Sequence, residues 1–116
     1  MTYTILIADD NDDMRVVLGH QLQSRGYRVI MVSDGLQVLE KARGEKPDLI
    51  LLDILMPGLD GTEASVQLKS DPVTQKIPII FLTSLIQGGD GDTSVMAKAT
   101  DINVLVSKIQ KTLEQK

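Results

Sequence analysis

Short apolar runs alternate along this chain with segments of helical period, the pattern of βα units wound on a parallel sheet. Five units fit. Strand one is expected over about Tyr3 to Ala8. Helix one follows from Asp12 to about Arg25, with Met14, Val17, Leu18 and Leu22 on one face and Gly26 just past its end. Strand two covers Tyr27 to Val32; Ser33 and Asp34 offer an N-cap, and Leu36, Leu39 and Ala42 give helix two a buried face before Gly44 and Pro47 stop it. Strand three is Asp48 to Leu52, and the Pro57-Gly58 pair demands a turn before a modest helix that ends near Ser70. Strand four is Ile77 to Leu82. A short fifth strand is expected at about Ser94 to Ala97, after a segment, Gly88 to Asp92, too rich in glycine for a regular helix. The last helix has the strongest period, with Ile102, Leu105, Val106, Ile109 and Leu113 on one face and Thr100 or Asp101 as its cap.

The runs Ile5-Leu6-Ile7-Ala8 and Leu49-Ile50-Leu51-Leu52 lack polar alternation, so both strands should be buried on two faces. With 116 residues there is room for one domain, taken as residues 1–116. No apolar stretch approaches the roughly 18 residues of a membrane span, and cysteine is absent, which excludes disulfides and thiolate chemistry. A cytoplasmic domain without membrane insertion is the expectation. A net charge of −4, with acids gathered at Asp9, Asp10, Asp12 and Asp13, argues against direct nucleic-acid binding. Aromatic residues are limited to Tyr3, Tyr27 and Phe81, so the core must be aliphatic.

Each buried run ends in acid: Asp9 and Asp10 after the first, Asp53 after the second. Ligands of open parallel sheets bind at the carboxyl ends of the strands, so the three carboxylates should converge there. Unaided they would repel one another. A cation must sit among them, and magnesium, which takes oxygen ligands and keeps several waters, is the natural candidate. Phosphoryl transfer needs a nucleophile in line with phosphorus and positive charge about the equatorial oxygens. Asp53 supplies a carboxylate nucleophile, Thr83 a hydroxyl at the end of strand four, and Lys98 an ammonium after strand five. Asp12 and Asp13 are read instead as acids favouring the positive end of helix one. His20 lies inside that helix, away from the strand ends, and Met31 and Met56 are packing residues.

With the Asp9-Asp10 pair, Asp53 followed by Met56-Pro57-Gly58 and Asp60-Gly61, Ile77-Pro78 entering strand four, Thr83 and Lys98, the chain resembles the receiver domain of two-component response regulators over nearly its whole length. The resemblance implies a flavodoxin-like, doubly wound α/β fold with a five-stranded parallel sheet of order 2-1-3-4-5. It implies phosphorylation of Asp53 and magnesium held by Asp9, Asp10, Asp53 and the backbone carbonyl of Leu55, with Thr83 and Lys98 responding to the phosphoryl group. The partners implied are a sensor histidine kinase or a histidine phosphotransfer protein, with a homodimer or a downstream effector as further candidates. Such a chain is a signalling switch rather than a metabolic enzyme.

The sequence departs from that family at several points. The interval from Thr83 to Lys98 leaves helix four lost or reduced to a loop, Lys98 precedes Ala99 where relatives carry proline, and Met96 stands where many relatives have an aromatic switch residue. Leucines at positions 55 and 85 replace polar groups and should slow dephosphorylation. Two other readings compete: a degenerate receiver working as a phosphorylation-independent interaction module, and a small phosphatase or nucleotide-binding enzyme on the same scaffold.

Overall fold

A computed structural model of the chain describes residues 2–54, 56, 59–83, 95–97 and 102–114, with residues 83 and 95–97 described by backbone alone. The elements run β1 (Thr4–Ala8), α1 (Asp12–Gln23), β2 (Arg28–Val32), α2 (Gly35–Glu45), β3 (Leu49–Asp53), α3 (Gly61–Ser70), β4 (Ile79–Thr83), β5 (Val95–Ala97) and α4 (Ile102–Glu114). All strand pairs are parallel, in the order β2-β1-β3-β4-β5. The expected doubly wound sheet is therefore present. The expected loss of a helix after β4 concerns residues 84–94, which lie outside the described residues, as do the proposed caps Thr100 and Asp101.

Every residue of β3 is buried, and in β1 only Thr4 is not. Alternate side chains of these strands enter two separate cores. Ile5, Ile7, Leu49 and Leu51 join Leu18 and Leu22 of α1 and Leu105, Val106, Ile109 and Leu113 of α4. Leu6, Ala8, Ile50 and Leu52 join Val38 and Ala42 of α2 and Ala64 and Leu68 of α3. Apolar burial on both faces explains why these runs carry no polar alternation. β2 is an edge strand, with only Val32 fully buried.

Helix starts are fixed by side-chain caps. Asn11 accepts from the Met14 amide at 3.0 Å, Asp34 from the Gln37 amide at 2.9 Å and Asp60 from the Glu63 amide at 2.9 Å. Each satisfies a donor the helix itself leaves open, a contribution of about 1 kcal/mol. Asp12 and Asp13 occupy the exposed first turn of α1, in keeping with the helix-dipole reading.

Several sequence expectations need correction. Periodicity places Val17 and Leu36 on buried faces, but they are 59% and 67% exposed. Gly19 and Val38 take the inward positions, because the inward face of each helix lies one or two residues from where apolarity alone puts it. α1 ends at Gln23 rather than Arg25, where the amides of Ser24 and Arg25 turn back to the carbonyls of His20 and Leu22. α2 runs through Gly44 and stops at Lys46, which adopts the left-handed conformation at φ 48°. Asp48 precedes β3, although its amide and carboxylate both bond to the backbone of Thr4. β4 starts at Ile79 rather than Ile77 and includes Thr83.

Candidate functional site

Strand register brings the acids together. Ala8 pairs with Leu52 across β1 and β3, so Asp9 and Asp53 are level at the carboxyl edge of the sheet. Hydrogen bonding continues past the strand ends: the Asp9 amide donates to the Val32 carbonyl at 3.2 Å, and the Ile54 amide to that of Leu82 at 3.2 Å. The acids therefore sit on regular, paired backbone. Asp9 is 0% and Asp53 2% exposed, whereas Asp10 faces solvent. One carboxylate oxygen from each of Asp9, Asp10 and Asp53 lies within 4.8 Å of the others.

At such separations each pair of full negative charges repels by roughly 3–4 kcal/mol at an effective dielectric near 20. A divalent cation held among them would offset this cost. The donor set fits magnesium: it is all oxygen, it is anionic, and exposure of Asp10 leaves room for the waters that this ion retains. On these grounds Asp9, Asp10 and Asp53 are the described residues able to hold it.

Two local devices hold the acids; the Asp60-Gly61 pair of one stands among the motif residues, whereas the Arg15 contact of the other carries no signal in the sequence. The Arg15 guanidinium, on α1, donates to the backbone carbonyl of Asp9 at 2.6 Å and also pairs with the Asp12 carboxylate. Asp9 Oδ1 in turn accepts from the Asn11 amide at 2.9 Å. On the other side, the Gly61 amide donates to the Ile54 carbonyl at 2.9 Å, closing the loop that leaves Asp53. A Cβ at position 61 would fall 2.1 Å from the Asp53 carbonyl oxygen, so only glycine permits this approach. The Asp-Gly step at 60–61 thus combines a helix cap with a close backbone contact.

Of the other residues singled out in the sequence, Thr83 closes β4 next to the residue paired with Asp53, but its side chain is outside the described set. Leu55 and Lys98 lie outside the described residues altogether. Met56 is buried, as a packing residue should be, whereas Met31 is 43% exposed on the edge strand. His20 is exposed on α1.

A five-stranded parallel sheet covered by helices, with an acid triad at its carboxyl edge, defines a small α/β domain of flavodoxin-like architecture. The chain belongs to the response regulator receiver domain family, whose profile matches residues 5–114. Among curated proteins it is 35% identical to the protein PilH of Pseudomonas aeruginosa, over 94% of this chain and 96% of that one. It is 43% identical to the alkaline phosphatase synthesis transcriptional regulatory protein PhoP of Bacillus subtilis, over 72% of this chain. That match spans only 34% of PhoP, so the chain corresponds to about a third of the longer regulator. Among solved structures, the receiver domain of a Pseudomonas aeruginosa sensor histidine kinase superposes with a TM-score of 0.88 at 30% identity, covering 98% of this chain and 99% of that one. That neighbour holds a magnesium ion coordinated in its active-site cleft. Among the described residues no helix is long and apolar enough to cross a membrane.

Proposed function

We propose that Asp53 is the phospho-acceptor of this receiver and that its phosphorylation is the signal the chain carries. The observation that supports this most directly is the convergence of buried Asp53 with Asp9 and Asp10, carboxylate oxygens within 4.8 Å, at the carboxyl edge of the sheet. Asp53 sits at the end of a fully buried strand, which gives its carboxylate a fixed direction of attack. Its oxygen would form a bond to the phosphorus of a phosphohistidine on a sensor kinase or phosphotransfer protein. The P–N bond breaks as the O–P bond forms, and the imidazole nitrogen leaves with the bonding pair.

Magnesium held by Asp9, Asp10 and Asp53, with the Leu55 carbonyl, would neutralise charge on the transferring group. The Thr83 hydroxyl and the Lys98 ammonium are assigned to the phosphoryl oxygens, which makes them the residues that report modification to the rest of the domain. In this reading the chain is a switch whose populations shift on phosphorylation, rather than a metabolic catalyst.

The test is incubation with magnesium and acetyl phosphate, followed by intact mass measurement. Wild type should gain one hydroxylamine-sensitive phosphoryl group, and Asp53→Asn should gain none. Equal labelling of both proteins would remove Asp53 from the role. Failure of wild type to label would favour a phosphorylation-independent interaction module.

A further inference from the structure

Leu59, between Asp53 and α3, meets a second glycine far from it in sequence. Gly35 is the first residue of α2 and is buried. A Cβ built there would lie 2.0 Å from the carbonyl oxygen of Leu59 and 2.8 Å from both its carbonyl carbon and its Cβ. Real Cβ contacts respect about 3.0 Å, so a side chain at position 35 would require the Leu59 carbonyl to retreat by about 1 Å. The obstacle is backbone, which cannot rotate out of the way as a flexible side chain does.

Nor is Leu59 free to yield. Met56 is buried, and Leu59 packs against the same cluster as Val38 and Ala42 of α2. The base of the loop is closed by the hydrogen bond from Gly61 to Ile54, and Asp60 is committed to capping α3. Leu59 is thus held between α2 and α3, and among the described residues Gly35 and Gly61 are the positions whose missing Cβ lets backbone approach backbone there.

We infer that Gly35 is a positioning residue for the phosphoryl site: the start of α2 is the backstop that fixes the Leu59 carbonyl, and with it the approach of Asp60 and Gly61 to the backbone of Asp53 and Ile54. This inference rests on the reading of Asp53 as acceptor. Gly35 touches neither metal nor phosphoryl group and acts only through the Leu59 carbonyl. Gly44, on the same helix, offers a matched control, because a Cβ there meets nothing within 4 Å.

The test compares Gly35→Ala with Gly44→Ala by circular dichroism, calorimetric titration with magnesium alone, and the rate of labelling by acetyl phosphate. Gly35→Ala should keep the fold, bind magnesium more weakly and label about tenfold to a hundredfold more slowly, the scale expected of a displacement near 1 Å at a reacting centre. Gly44→Ala should match wild type. Adding Leu59→Gly to Gly35→Ala, which lets the carbonyl reorient, should restore part of the rate. A folded Gly35→Ala that binds magnesium and labels as wild type does would overturn the inference. Should Gly35→Ala fail to fold, nuclear magnetic resonance of wild type decides: the Gly35 resonances should shift when magnesium and beryllofluoride are added, and unmoved resonances would refute the contact. A wild type that takes no label counts against the acceptor reading alone, since the magnesium titrations of the two alanine variants still judge the positioning role.

Discussion

Arg15 and Asp9 are joined by a 2.6 Å hydrogen bond from the guanidinium to the backbone carbonyl, which ties the loop carrying the acid pair to α1. The Arg15 side chain is only 17% exposed, whereas its second partner, Asp12, is 82% exposed, so most of the energy should lie in the backbone contact. Arg15→Ala should therefore lower the free energy of unfolding by about 1–2 kcal/mol, and Asp12→Ala by much less. Urea denaturation of the two variants checks this, and equal losses would contradict it.

Magnesium should stabilise the wild-type fold, because Asp9, Asp10 and Asp53 can hold the ion together only when the fold assembles them. At a hundredfold excess over the dissociation constant the gain is about 2.7 kcal/mol. Asp10→Ala should lose most of that gain while the metal-free protein stays folded, since Asp10 is exposed and buried packing does not depend on it. Asp53→Asn should melt higher than wild type without metal, as it removes one of three mutually repelling charges. Thermal scans with and without magnesium measure each effect.

Lys46 ends α2 with φ 48°, a conformation that costs a residue with a Cβ roughly 1–2 kcal/mol. Glycine pays no such penalty but loses more chain entropy on folding, so Lys46→Gly should stabilise by roughly 0.5–1 kcal/mol. Labelling by acetyl phosphate should be unaffected, because this turn lies at the opposite edge of the sheet from the acids. A fall in melting temperature would show that the left-handed turn carries no strain.

Tyr27 gives the fold an alkaline limit. Burial pushes its phenol above the ordinary value near 10.0; the hydrogen bond with Gln110 opposes this, and Tyr3 and Glu114 add to the rise. The unfolded chain then loses its proton first, so the folded state binds more protons above that pH. Stability falls as pH rises from about 10 through the folded value. Ultraviolet titration should show a tyrosine ionising late, and Tyr27→Phe should flatten the decline in denaturation midpoint.

What the sequence disclosed depended on how each feature is encoded. β1 and β3 were readable because burial on both faces leaves an unbroken apolar run, and Asp9 and Asp53 stood out as acids at the ends of such runs. The matched family profile bears out the receiver resemblance drawn from those motifs. The helices were harder. Val17 and Leu36 looked inward because they are apolar, while Gly19 and Gly35, which are buried, carry no apolar signal at all. The Arg15 contact was hidden for a related reason: an arginine on an amphipathic helix reads as solvated until the fold places a carbonyl beneath it. Lys46 carries no sequence signal of its left-handed turn, because glycine is the usual sign of such a stop and the chain offers one, Gly44, two residues earlier.

The pairing of Ala8 with Leu52 has a further consequence for how the protein is checked as it matures. Parallel strands presented to two different cores cannot slide by one residue without exchanging every inward and outward side chain. Such a slip would turn Asp53 from the face it shares with Leu49 and Leu51 and take it out of level with Asp9. A misfolded chain would thus be blind to the ion, and binding of magnesium would select, from all compact forms of this polypeptide, those whose central strands have met in the correct frame.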